Sequence, residues 1–299
     1  MKKEEIIENL KEITGKKNVS LPSSIDFEIE KNVLAITMTE KGLRANMQCN
    51  KSAFDGWAFC LKAWLPELIK EVSICWNPLK RNEYSHYERF LYRVEKFTEA
   101  YDWARNGSLF DLKMYKGEQE RDKNWVANFP CGDATEDVEG KEAILERNFI
   151  NNHSIDYDVI NQQLPVGVFN IIVSKESCIM PRGKSQIDIW AIKGNTLHVF
   201  ELKNTNNTMV GIISELMYYV NIMNDIKNKQ IAYPKDAEKS KYRDFDALYS
   251  AFKEEKIKHI EGHFLAKKLH PLISSNVIDL INDSHLLKMN HMTYSHIAL

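Results

Sequence analysis

The stretch QIDIWAIKGNTLHVFELK, residues 186–203, holds two short runs of β-branched, aromatic and aliphatic residues on either side of Gly194-Asn195. A two-residue loop between strands fixes the register of a hairpin. With Gly194-Asn195 as that loop, Lys193 faces Thr196. Counting back along both strands sets Asp188 opposite Glu201, and Gln186 opposite Lys203. Side chains alternate across a strand, so Asp188, Glu201 and Lys203 share one face. Ile187, Ile189, Phe200 and Leu202 occupy the other face and can anchor the hairpin in a core. Like charges facing each other across a sheet are destabilising. Two carboxylates this close coexist by sharing a proton, by solvation, or by ligating a cation.

A hard divalent ion such as Mg2+ takes oxygen ligands and keeps several waters, so two carboxylates and the Leu202 backbone carbonyl would suffice as protein ligands. The Lys203 ammonium beside such an ion would orient a bound water or stabilise developing negative charge. That combination suits phosphodiester hydrolysis. The plain alternative is an exposed hairpin with solvated charges. Against it stand an acid facing an acid, strands that are otherwise apolar, and helical segments on both sides.

Outward from the hairpin, EGKEAILERNFINN (139–152) and VGIISELMYYVNIMNDI (210–226) read as helices, with a further strand around 166–173. The tail reads as a polar helical stretch near 236–258, a strand IEGHFLAKK (260–268), a helix PLISSNVIDLIND (271–283) and a last strand near 292–297. Upstream, IDFEIEKNVLAITMTEKGLRANMQC (25–49) alternates apolar and polar residues, as half-buried antiparallel strands do. A helix over 53–70, a strand EVSICW (71–76) and a helix over 85–105 follow. In the last of these, Tyr87, Leu91, Val94, Phe97 and Tyr101 recur at helical spacing and predict one buried face rather than a base-stacking platform. The polar, irregular stretch 105–140 places a domain boundary near 130. The expected division is an α+β N-terminal domain, 1–130, and a second domain, 131–299, of mixed sheet flanked by helices, α/β or α+β in class.

The pattern Asp188-x12-Glu201-x-Lys203 on a hairpin resembles the PD-(D/E)XK nuclease superfamily, the restriction-endonuclease-like fold. The similarity covers roughly residues 139–225 and is nearest to mismatch endonucleases and related defence or restriction nucleases. The resemblance implies a Mg2+-dependent deoxyribonuclease, with Mn2+ able to substitute. Asp188 and Glu201 would ligate the metal, and Lys203 would position the nucleophilic water. The acid of the preceding helix would be Glu142 or, one turn later, Glu146. The following helix would contribute Glu215 and Tyr219, which match a Gln-x3-Tyr element with Glu in place of Gln. The proline of the family name is absent, since Gln186-Ile187 precedes Asp188. DNA is the implied partner, and cutting both strands of a duplex would call for a homodimer. The same fold kept as a nucleic-acid-binding or scaffolding module without cleavage is the second expectation.

Other motifs carry less. PRGKSQ (181–186) is not a phosphate-binding Walker loop, because Cys178 stands where its first glycine belongs. Arg182 and Lys184 are read as loop residues able to touch a DNA backbone, and Lys267 and Lys268 as part of a basic rim. Six of the nine histidines follow residue 258. His259 and His263 would make a metal pair on a helix, but HIEGHFLAKKL reads as a strand. The first 130 residues carry no chemical motif, and Trp57, Trp64 and Trp76 are expected in a core or interface.

At 299 residues with a formal charge of −2, the chain has no global pull toward nucleic acid or anionic membrane. Its five cysteines are odd in number and form no CxxC pair, which fits a reducing compartment. The charged N-terminus MKKEEIIENLKEI is unlike a signal peptide, and no apolar run is long enough to span a bilayer, so a cytoplasmic protein is expected.

Overall fold

Alternating apolar residues build two mixed sheets with helices against them, so the chain is of the mixed α and β class. The computed structural model describes residues 1–80, 85–108, 124–131, 140–181, 185–204 and 208–299. The chain divides into two compact units: residues 1–114 with 209–215 and 270–287, and residues 115–208 with 216–269 and 288–299.

The first unit begins with α1 (Lys3–Thr14), whose Ile6 and Leu10 are buried, and which Gly15 ends at φ +65°. β1 (Ile25–Glu30) and β2 (Val33–Met38) pair antiparallel. Lys31 and Asn32, at φ +49° and +65°, form the tight turn between them. The alternation does not continue as strand toward residue 50. Thr39 instead caps a short helix, α2 (Glu40–Leu43), by accepting the Gly42 N–H. Next come α3 (Phe54–Trp64), β3 (Glu71–Trp76), α4 (Ser85–Ala100) and β4 (Ala104–Asn106). α3 stops well short of residue 70, because Leu65 precedes Pro66 and is disfavoured in helical conformation. α4 is likewise shorter than expected, and its last predicted turn is replaced by β4. The sheet order is β1-β2-β3-β4, with the last two pairings parallel. All five members of the α4 stripe are buried, as are Trp57 and Trp76, so these aromatics form core. Trp64 donates its indole N–H to the Leu272 carbonyl at 2.8 Å.

This unit encloses a matched ion pair. Arg93 grips Asp55 with Nε at 3.1 Å and Nη2 at 2.6 Å, and both side chains are 3% exposed. The Gly56 N–H and the Ser214 hydroxyl also donate to Asp55, and Arg93 reaches the Ser52 carbonyl. His270 lies edge-on to Trp57 and accepts the Leu272 N–H at Nδ1.

In the second unit, α5 (Lys141–His153) precedes β6 (Val159–Pro165), β7 (Val168–Asn170) and β8 (Cys178–Met180). The hairpin β9 (Gln186–Lys193) and β10 (Thr196–Lys203) follows. β5 (Trp125–Ala127), β7 and β8 make a small sheet. The strand expected over 166–173 is shortened to β7, and β6, which was not expected, precedes it in a different sheet. After β10 come α6 (Gly211–Lys227), whose first five residues belong to the first unit, then α7 (Phe245–Lys253), β11 (His259–Ala266) and β12 (Met292–Ile297); α8 (Ser275–Asn282) and most of α9 (His285–Met289), between β11 and β12 in the chain, belong to the first unit. The long polar helix expected over 236–258 is broken into two short 3-10 turns and α7. Arg243 and Asp244, both at φ +53°, interrupt it.

The principal sheet has the order β12-β11-β10-β9-β6. β10, β11 and β12 run parallel, and β9 and β6 pair antiparallel. Phe149 of α5 packs on Ile189, Phe200, Leu202 and Leu265 on one face. On the other face Gly262 lies so close to Val220 of α6 that an added Cβ would stand 2.9 Å from its methyl. Among the described residues no helix is long and apolar enough to cross a membrane.

Two measurements check this packing. Asp55→Ala leaves a buried guanidinium without its carboxylate and should lower unfolding free energy by about 3–5 kcal/mol, read from denaturant midpoints. Burial, reinforced by Lys16, pushes His270 down from 6.5 to about 4. The folded state therefore favours neutral imidazole, and its contribution is complete above about 6.5 and is lost as pH falls toward about 4. His270→Gln should flatten the stability curve over that acid range.

Candidate active site

The β9–β10 register is the one the Gly194-Asn195 loop dictates, running from Lys193↔Thr196 to Ile189↔Phe200. Gly194 takes φ +59° at the first loop position, and its N–H donates to the Asp158 carboxylate at 2.7 Å. Beyond Ile189↔Phe200 the ladder stops. The alternating pattern would next pair Leu202 with Ile187. Instead the Leu202 N–H donates to Asp188 Oδ2 at 2.7 Å, so a carboxylate replaces a backbone carbonyl where the strands separate. In an extended strand a residue's N–H and C=O point to the same side, so the Leu202 carbonyl also faces β9.

Glu201 is 1% exposed, and Lys203 Nζ donates to its Oε1. Asp188, Glu201 and Lys203 therefore stand on one face at the open end of the hairpin. Leu202, on the opposite face, joins the core beneath α5. α5 brings two acids of different character. Glu142 is exposed in its first turn, whereas Glu146, one turn later, is buried. Burial raises the Glu146 carboxyl above its ordinary 4.5 and Glu142 adds to this, while Gln163, Arg243 and Lys203 oppose it. Glu146 is thus the acid of α5 that feels the Lys203 charge from within the protein.

Gln163 and Arg243 are the residues the sequence reading missed. In the β6–β9 ladder, Gln162 pairs with Ile189 and Leu164 with Ile187, which sets Gln163 at the register position of Asp188. Gln163 itself takes φ +56° and donates to Glu146 at 3.4 Å. Arg243 Nη1 donates to Gln163 Oε1 at 2.7 Å, and its guanidinium lies 4.8 Å from the centroid of the Tyr242 ring. A cleft of about 360 Å³ opens here, lined by Ala143, Arg147, Gln162, Gln163, Gln186 and Arg243 among others. Two guanidinium groups thus border a cavity that reaches the strand positions flanking Asp188. The only advance signal was weak: an asparagine and two glutamines in NQQLP, polar for a strand.

The remaining expected site residues fall elsewhere. Glu215 is buried and accepts a hydrogen bond from Gln48 within the first unit. Tyr219 is fully buried, its ring 5.7 Å from that of Tyr218. Lys267 and Lys268 are exposed just past the end of β11, beside the β10 end that carries Lys203. Arg182 and Lys184 lie outside the described residues. His259 contacts His291 rather than pairing with His263, with ring centroids 4.9 Å apart.

Comparison of the chain with protein families, with curated proteins and with solved structures gives no match.

The hairpin geometry has a direct test. Asp188→Ala removes the acceptor of the Leu202 N–H, whereas Asp188→Asn keeps an oxygen in place. Amide exchange at Leu202 should accelerate in the alanine variant, with a stability loss of about 1–3 kcal/mol, and should change far less in the asparagine variant.

Proposed function

We propose that this chain is a divalent-metal-dependent nuclease of the PD-(D/E)XK kind, hydrolysing DNA phosphodiester bonds at the open end of the β9–β10 hairpin. The observation that carries this reading is the gathering of Asp188, Glu201 and Lys203 on one sheet face, with the buried acid Glu146 within electrostatic reach of Lys203. The donor set is all oxygen, which fits a hard cation such as Mg2+. Asp188, Glu201 and the Leu202 carbonyl would hold it, with Glu146 in preference to the exposed Glu142. The chemistry such an ion supplies when bound is polarisation of a phosphoryl oxygen and acidification of the attacking water.

The protein's own groups do the rest. Lys203 Nζ pairs with Glu201 and can orient the water and meet charge developing on the phosphorus oxygens. Arg147 and Arg243 in the adjoining cleft, and Lys267 and Lys268 at the strand ends, offer cations for flanking phosphates. These local cations matter because the chain as a whole carries a charge of −2.

The second reading, a nuclease fold serving only to bind, draws on Glu215, whose carboxylate is engaged by Gln48. The two readings separate in one experiment. Purified protein is incubated with duplex, single-stranded, branched and mismatched DNA in Mg2+ or Mn2+, with RNA as control. Wild type should cut DNA, and Lys203→Ala should be slower by about 10²-fold or more with unchanged circular dichroism. Equal cleavage by Lys203→Ala would remove the assignment. DNA binding without metal uptake in a Mn2+ calorimetric titration would favour the binding module.

A further inference from the structure

The opposite face of the same strands holds a second cluster. The parallel pairing of β10 with β11 sets His198 across from Glu261, and the pairing of β11 with β12 sets His263 across from Ser295. Glu261 and His263 are two residues apart, so alternation brings all four side chains to one face, the face opposite Glu201 and Lys203. His198 Nδ1 lies 3.0 Å from His263 Nε2 and 3.4 Å from Glu261 Oε2, and His263 Nε2 lies 3.8 Å from the same Glu261 oxygen.

We propose that His198, His263 and Glu261 form a three-ligand site for Zn2+ or a similar borderline divalent ion, with a fourth position open to water. Ligands bound at about 2.0–2.1 Å in tetrahedral geometry stand about 3.3 Å from one another, and the three observed separations bracket that value. His263 Nδ1 is 2.8 Å from Ser295 Oγ. A proton on Nδ1 donated to that hydroxyl leaves the Nε2 lone pair aimed at the cluster, as the outer partner of a metal-binding histidine does. Without an ion, two imidazole nitrogens at 3.0 Å need a proton between them, which sits on His198 Nδ1 when His263 Nδ1 donates to Ser295; binding exchanges that hydrogen bond for the metal, the proton moving to His198 Nε2.

The surroundings fit this exchange. Both imidazoles are buried within the fold, away from competing solvent. Tyr157 stands edge-on to His198 at 5.2 Å, and Phe200 stacks on His263 at 4.6 Å, which fixes the rings. The Glu261 side chain is 43% exposed while those of His198 and His263 are 11% and 8% exposed, so an ion would enter past the carboxylate. Imidazole nitrogens suit zinc and its neighbours, whereas the all-oxygen hairpin suits magnesium. The site stands independently of whether the hairpin cleaves DNA.

Full-length protein titrated with ZnCl2 in excess MgCl2, which competes for the oxygen site, tests the assignment by calorimetry. One Zn2+ per chain is expected, and Co2+ in its place should give the intense visible absorption of a tetrahedral complex. His198→Gln and Glu261→Gln should each weaken binding by at least about tenfold, and Ser295→Ala by about tenfold. Glu261 is half-exposed, so Glu261→Gln decides the matter even if His198→Gln unfolds. Absence of zinc uptake, or uptake unchanged in Glu261→Gln, would overturn the proposal.

Discussion

The register of the β9–β10 hairpin governs the carboxylate site. Its two-residue loop is fixed by Gly194 at φ +59° and by the bond from the Gly194 N–H to Asp158. A slip of one residue would exchange the two faces of the strand, carrying Glu201 and Lys203 into the core and Phe200 and Leu202 out of it. The aromatic and aliphatic packing of Phe149, Phe200, Leu202 and Leu265 resists that exchange, since every one of those contacts would be lost together. The core beneath α5 therefore holds the acids in place from the reverse side of the sheet. The point where the ladder ends matters equally: Asp188 takes over a backbone bond there, which ties a charged side chain to the main chain of the neighbouring strand.

Two of the buried carboxylates, Asp55 and Glu146, stand in contrasting settings. Asp55 meets a guanidinium in a two-pronged contact, a main-chain N–H and a hydroxyl, so its charge is answered within the fold. A pair of that kind is costly to break but marks no chemistry by itself. Glu146 has neighbours that oppose its protonation, yet burial still outweighs them. A carboxyl whose desolvation is not offset by the folded chain is one that an added cation would stabilise. The difference lies in the electrostatic balance rather than in depth of burial alone.

Much of the hairpin region was legible because both strands are strongly apolar and the loop leaves one register. EVSICW, the α4 stripe and the last strand were legible because apolar period and burial coincide there. β6 was not, because it is an edge strand whose sequence VINQQLP carries three amide side chains in a row and is mostly half-buried, with Gln163 in a left-handed conformation. The break near residue 243 has no glycine or proline to announce it, and it places Arg243 beside Gln163, 80 positions earlier in the chain. The Asp55–Arg93 pair and the His198–His263 contact join residues 38 and 65 positions apart. Neither has a local sequence signal, since no short turn sets the register of the parallel β10–β11 pair as one sets that of a hairpin.

The two faces of β10 also bear on metal selection. A zinc ion would bind a carboxylate cluster more tightly than magnesium does, so affinity alone would not keep an oxygen site loaded with the harder ion. His198, three positions before Glu201 on β10 and so on the other face, together with His263 of β11, would give the softer ion a preferred seat. His263 reaches Ser295 on β12, and Glu261 stands across from His198 on β10, so an ion held there would tie β10 to β11 next to a third strand. Bracing β10 at its midpoint would in turn stiffen the strand whose far end presents Glu201 and Lys203. The coupling between the faces would be mechanical, transmitted by a single rigid strand, and would need no ligand shared between the sites.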